Sequence, residues 1–415
     1  MFTLICSFAA AFCFIRGCKS LNPSVTYNTQ THIGINLLTH VFKESSKHLS
    51  SRTNIEKRDR VRHDQTHEVV FAVLQKNMDE LTSILYDISD PDSPNYGQHW
   101  SKDEVTEFTS NLEGRDAVVS YLDSNGASVV SETRAGEYIT ARASIKVWEK
   151  MFNTEFFVFR MIHSDAGVEN YIRAEHYSVP RELDKHLASV FNTIEMFDKR
   201  FKDTQSVPMS KKDSFSTAGE GYMTPDLLRS YYNMSGTSGS INSTQMAFAA
   251  AGQWFSPANL ASFQAWANSP VIPPVALVGG QINDTICEDH SKCAEANLDM
   301  QYIMTMSPYS PTTFWYTMKF FDIFFQEISN NMKPPKVISI SYGTSESYMN
   351  LGVYKAFDTE AIKLGIQGTT ILVASGDDGV NPVPAGRDPT KCGYAPDYPA
   401  SSTYILSVGG TVVSL

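Results

Sequence analysis

The stretch TTILVASGDDG, Thr369 to Gly379, decides the fold. Its residues from Thr370 to Ala374 are apolar or β-branched without alternation, and they stop abruptly at Ser375, Gly376, Asp377, Asp378 and Gly379. A run this short and this uniform predicts a strand buried on both faces. Four more runs of the same kind lie around it: TQMAFAAA (244–251), PVALVG (274–279), KVISISYG (336–343) and YILSVGGTVVSL (404–415). Between them EANLDMQYIMTM (295–306), YTMKFFDIFFQEISNN (316–331) and YKAFDTEAIKLGI (354–366) read as helices. Apolar strands separated by helices predict an α/β domain, a parallel sheet covered by helices on both faces. Ligands of such sheets bind beyond the C-terminal strand ends, so SYGTSES and ASGDDG are where chemistry is expected. This domain opens at about residue 222, with Thr224 predicted to cap a helix that has Pro225 in its first turn.

A second unit precedes it. HEVVFAVLQ, GEYITARAS and EFFVFRMI read as strands, and NMDELTSILYDIS and IKVWEKMFN as helices. In the first of these helices Met78, Leu81, Ile84 and Leu85 share a face, and Ser101 in SKDEVTEFTS is placed to cap another. Strands and helices interleaved over 66–197 predict a compact α+β domain. Residues 21–65 are polar and weakly patterned, so they are expected to be loosely ordered. Residues 198–221 are basic and rich in Ser, Thr and Gly, which predicts a protease-accessible linker.

Composition narrows the function. The chain has 415 residues, 42% of them hydrophobic and 12% aromatic, with a net charge of −11. That is the make-up of a globular protein with no basic face for nucleic acid. Phe2–Ile15 forms an apolar run too short to span a bilayer but suited to a signal peptide over residues 1–20, although no Lys or Arg precedes it. No other run is long enough for a membrane span, so a secreted or lysosomal route is expected. Cys6, Cys13 and Cys18 fall inside this leader. Cys287 and Cys293 bracket CEDHSKC, a disulfide candidate in an oxidising compartment, and Cys392 is left without an evident partner. Sequons at Asn233, Asn242 and Asn283 agree with that route.

Three acids are candidates for chemistry. Glu295 and Asp299 are four residues apart on a predicted helix and share one face. Such a pair is ordinarily surface charge, but the neighbours Ala294, Ala296, Leu298, Met300 and Tyr302 are apolar or aromatic. Asp377 follows a buried strand, where Gly376 and Gly379 permit close backbone approach; a turn-forming role is the alternative. Nine of the ten histidines lie at or before His186, which leaves only His290 in the second domain. A Ser-His-Asp hydrolase is therefore disfavoured, and the base of a hydrolytic site would be a carboxylate working at acidic pH.

With these residues in place, the second domain resembles the sedolisins, or serine-carboxyl peptidases. TPDLLRSYYNM, EANLDMQY, VISISYG, ASGDDG and PDYPASSTYILSVGGT occur in the family's order. DPDSPNYGQHWSKDEVTEF and GEYITARASIKVWEKMFNTEF resemble its activation pro-domain, and EANLDMQY and SGDDG resemble the tripeptidyl-peptidase I branch most. The resemblance implies a ferredoxin-like pro-domain over 66–197 that inhibits intramolecularly, and a subtilisin-like peptidase domain beginning at 222. It implies Glu295 as general base, Asp299 as its proton-sharing partner and Asp377 as the acid at the oxyanion site. Peptides or proteins would be the substrates, with N-terminal tripeptides the expected product.

The family's nucleophilic Ser opens a helix after the VGGT strand, and a calcium site lies further on. Residues 222–415 are thus expected to be the N-terminal, incomplete part of the peptidase domain, with neither nucleophile nor calcium ligands in this chain. A chain so composed is expected to be inactive as given. The alternative is a catalytically dead short form that binds or inhibits through its pro-domain. NMSGTSGSINST (233–244) looks like a nucleophile turn, but it precedes the acids and leads into a strand rather than a helix. It is expected to be a glycosylated surface loop.

Overall fold

A computed structural model describes residues 39–46, 54–163, 167–196, 223–234, 236–250, 252–317, 324, 326–328, 333–346, 349–377, 394 and 396–411. The expected leader (1–20), the linker (198–221), Asp378 and Cys392 lie outside them.

The N-terminal domain runs β1 (His40–Ser45), β2 (Ile55–Arg60), β3 (Thr66–Val73), α1 (Met78–Ser89), α2 (Lys102–Thr109), α3 (Leu112–Ser124), β4 (Ser128–Glu132), β5 (Tyr138–Ser144), α4 (Ile145–Phe152), β6 (Phe156–His163), β7 (Gly167–Ala174), β8 (His176–Pro180), α5 (Arg181–Asp184) and β9 (Leu187–Phe191). β4, β5, β3 and β9 form one antiparallel sheet in that order, the order of a ferredoxin-like fold. Ser101 caps α2 with a full capping box: its hydroxyl accepts from Glu104 N while the Glu104 carboxylate accepts from Ser101 N.

The second domain runs α6 (Pro225–Tyr231), β10 (Gln245–Ala250), α7 (Pro257–Trp266), β11 (Ala276–Val278), α8 (Ala294–Met306), β12 (Thr312–Thr317), β13 (Val337–Ile340), β14 (Thr344–Ser345), α9 (Leu351–Ile366), β15 (Thr370–Ala374), β16 (Asp397–Tyr398) and β17 (Leu406–Val408). Six of these strands form a parallel sheet in the order β11-β12-β10-β13-β15-β17. Ala296, Met300 and Met304 of α8 and Val353, Phe357 and Leu364 of α9 pack into its core with Phe248, Trp315 and Ile338.

β3 explains how the domains meet. Successive residues of a strand point to opposite faces. Val69, Phe71 and Val73 enter the core of the N-terminal domain, whereas Val70 and Ala72 join the core of the second. Tyr138 and Phe191 from the neighbouring strands are buried on the same outer face. A residue of this size contributes about 1.5–3 kcal/mol when fully buried. Beside this face, Leu81, Leu85 and Ile88 of α1 and Val105 of α2 pack on Ile362 and Ile366 of α9.

Three sequence expectations need correction. Residues 21–65 are not loose throughout, because β1 pairs antiparallel with β8 and β2 with β6. Their charged, half-exposed residues pair at edges, where one face needs no apolar pattern. β11 and β17 are not buried on both faces: they are the sheet's outer strands, and Leu406 and Val408 are exposed. Tyr316 and Thr317, read as the start of a helix, instead end β12, where the aromatic and β-branched run TTFWYT fits a pleated surface.

Candidate active site

The C-terminal ends of β10, β12, β13 and β15 point to one edge of the parallel sheet. α8 brings Glu295 and Asp299 there. This helix has no capping side chain at its N-cap, Cys293. Gln253, just past β10, supplies the missing acceptor, its Oε1 taking the Glu295 N–H at 3.1 Å. The chain before α8 is tied by a disulfide between Cys287 and Cys293, whose Cα atoms are 5.4 Å apart. Asn297, on the next turn, accepts from Ser256 N at 2.9 Å and fixes α8 against the start of α7.

Glu295 and Asp299 are both partly buried. Burial pushes the Glu295 carboxyl above the ordinary glutamate value, and the charge of Asp377 adds to this, while the Ser341 hydroxyl opposes it. Asp299 is pushed well above the ordinary aspartate value, first by burial and then by Glu295, again with Ser341 in opposition. Tyr342 is raised by its own burial and then by the charges of Asp299 and Glu295. Two carboxyls held this close cannot both ionise readily, so the pair binds a proton into a pH range where free acids are charged. The helix N-terminus beside Glu295 favours a negative charge, so the proton is not bound irreversibly.

Asp377 follows β15 and is exposed; its charge is the electrostatic link from that turn to Glu295. Gly376 before it adopts φ +89°, and a Cβ there would run into the Asp397 carboxylate, so both the turn and the packing require glycine. The three acids read from the sequence thus come together. Ser341 was not singled out, yet its hydroxyl donates to Asp299 Oδ1 at 2.8 Å. Its position, first after the strand VISI, was the available signal.

Other candidate residues lie elsewhere. Asn242 and Asn283 are exposed, and Asn233 is exposed with φ 52°. The loop 236–244 is exposed except at Thr244, and Ser240 N donates to Ser310 Oγ, away from the acids. Among the described residues no group of three or more His, Cys, Asp or Glu is arranged to hold a metal, and no step below uses one. No described helix is long and apolar enough to cross a membrane.

Residues 53–196 match the family described as Pro-kumamolisin, activation domain. Over 388 residues the chain is 29% identical to tripeptidyl-peptidase 1 of Dictyostelium discoideum, covering 83% of this chain and 62% of that protein. It is 27% identical over 368 residues to tripeptidyl-peptidase 1 of Canis lupus familiaris, covering 85% and 62%. The chain thus spans about three fifths of the length of these curated relatives. Among solved structures, it is similar to a Pseudomonas sedolisin (serine-carboxyl proteinase) complexed with two molecules of pseudo-iodotyrostatin, with a TM-score of 0.37 and 22% identity over 45% of this chain and 53% of that one.

Proposed function

We propose that this chain is the zymogen of an acid-acting member of the sedolisin family of serine-carboxyl peptidases, on the tripeptidyl-peptidase 1 branch, which its likeness to tripeptidyl-peptidase 1 and its activation-domain match support. The proposed reaction is hydrolysis of peptide bonds, releasing tripeptides from free N-termini. One observation carries the reading: three carboxyls meet at the C-terminal edge of the parallel sheet, where the charge of Asp377 raises Glu295 and the charge of Glu295 raises Asp299.

The chemistry follows from that arrangement. Glu295, when ionised, accepts the proton of the attacking serine hydroxyl as oxygen bonds to the scissile carbonyl carbon. It then returns that proton to the departing amine as the carbon–nitrogen bond breaks, and water, its proton taken by the same carboxylate, attacks the acyl–serine ester to release the peptide acid and the serine hydroxyl. Asp299 shares the proton and keeps the Glu295 carboxyl oriented. Asp377 is the proposed acid of the oxyanion site, the part backbone amides play in other hydrolases. No described serine is assigned as the nucleophile, which in the family follows the VGGT strand. Calcium is part of the family-level expectation only.

The N-terminal domain, docked through β3, is the proposed intramolecular inhibitor, and residues 198–221 are the proposed cleavage segment. Glycans on Asn233, Asn242 and Asn283 and a secreted or lysosomal location complete the proposal. To test it, the gene product is purified from cells that express it naturally and assayed at acidic pH on peptides with free or acetylated N-termini. Release of tripeptides from the free peptide alone supports the reading. Equal cleavage of the acetylated peptide at internal bonds overturns the tripeptidyl assignment, and no cleavage of either overturns the peptidase.

A further inference from the structure

We infer that Ser341 is the positioning residue of the Glu295–Asp299 pair, its hydroxyl holding Asp299 Oδ1 as an acceptor and leaving Oδ2 as the oxygen on which the shared proton binds. The inference rests on the reading of those two acids given above, and it adds a residue to which no role has been assigned.

A serine hydroxyl has one hydrogen and two lone pairs. In this structure the hydrogen goes to Asp299 Oδ1 at 2.8 Å. The same hydroxyl also interacts with the Glu295 carboxyl. It acts on both acids in the same direction, and it does so from a fixed platform. β13 ends at Ile340, which is buried beside Ile338 in the sheet core, so Ser341 directly follows the end of a central strand.

The surroundings leave the hydroxyl as the main polar restraint on the pair. α8 contributes Glu295 and Asp299 themselves. Tyr342 lies next to Ser341, with Tyr316 from the end of β12 close to it, and Asp377 comes from the turn after β15. Among the described residues no Lys, Arg or His contributes to the shift of either acid. Burial and mutual repulsion favour the neutral forms, and the hydroxyl is the contribution that favours the charged form of each. Removing it should make both acids hold their protons to higher pH. A serine that merely fills space would have no such effect.

The test uses the 415-residue protein labelled with 13C at the carboxyl carbons of Asp and Glu. The pair's resonances are identified by their loss in Glu295→Gln and Asp299→Asn, and their shifts are followed against pH. Ser341→Ala is expected to move the midpoints of the pair upward by about one pH unit. Ser341→Thr, which keeps the hydroxyl, is expected to restore them. Should Ser341→Ala lose its near-UV circular dichroism, Ser341→Cys takes its place, because a thiol is a weak donor and should shift the midpoints in the same direction.

Midpoints unchanged in a folded Ala or Cys variant overturn the inference, as does a Thr variant displaced as far as the Ala variant. Covalent capture of Ser341 by a fluorophosphonate probe also overturns it, by making this serine a nucleophile instead. The titration can be read whether or not the protein cleaves peptides. Failure of the proposed function and failure of this inference are therefore separate results.

Discussion

Two pairs of buried acids in this molecule differ in one respect that separates structure from chemistry. Glu137 of the N-terminal domain and Glu360 of α9 meet at the seam between the domains, and Lys363 lies between them at 3.4 and 3.2 Å. All three are nearly inaccessible, and Tyr138, Gln75 and Thr133 occupy further carboxylate lone pairs. Burial pushes Glu137 up, but the Lys363 charge and hydrogen bonds from Thr133 and the backbone hold it below the ordinary value. Among the described residues no such cation accompanies Glu295 and Asp299, and they are displaced the other way. A buried acid pair with a cation between its members fastens two surfaces; a pair without one binds a proton and can move it.

The largest effect that could break this comparison is removal of the cation. Lys363→Met strands two buried carboxyls and is expected to lose about 3–5 kcal/mol at neutral pH, measured by urea unfolding. Adding Glu137→Gln and Glu360→Gln to it should recover most of that loss. A neutral effect of Lys363→Met alone would mean that the seam does not depend on its charges. The pH sign for Glu137 follows from its lowered value. Its stabilisation is present above the ordinary glutamate pKa and is lost as pH falls through the folded value, so docking of the N-terminal domain weakens on acidification.

Glu195 sharpens the comparison because it is raised without being placed at the sheet edge. Burial lifts it to about 7, against the Arg173 charge and with the Glu44 charge adding to the rise. Asn350 of the second domain donates to both Glu44 and Glu195, so this group also belongs to the seam. A raised pKa alone does not mark a catalytic acid; position at the strand ends does. The contribution of Glu195 is full below the ordinary glutamate value and is lost as pH rises through about 7. Glu195→Gln should therefore be close to neutral in acid and stabilise by at most on the order of 3 kcal/mol in mild alkali, read from the pH dependence of unfolding. The smallest effect is a control that touches neither pair: Ser101→Ala should lose about 1 kcal/mol through the α2 cap.

Much of this was legible in the sequence, for identifiable reasons. Strands buried on both faces announce themselves by unbroken apolar runs, so β10, β13 and β15 were readable, and the i,i+4 spacing put Glu295 and Asp299 on one face of α8. β3 was readable as a strand, but the second core it enters was not, because an apolar residue does not state which partner covers it. The edge strands β1 and β2 escaped because charged residues at a sheet edge carry no periodic signal. Lys363 and Ser341 escaped for a different reason. The role of each comes from partners far away in sequence, 226 residues for Glu137 and 42 for Asp299.

The central claim is that Glu295 is the base of an acid peptidase, and its most direct test is the acidic-pH kcat/KM of the naturally expressed gene product against its Glu295→Gln variant. Loss of a positioned general base predicts a fall of about 10²–10⁴-fold with folding and pro-domain removal unchanged. Activity retained within about tenfold of wild type would contradict the account.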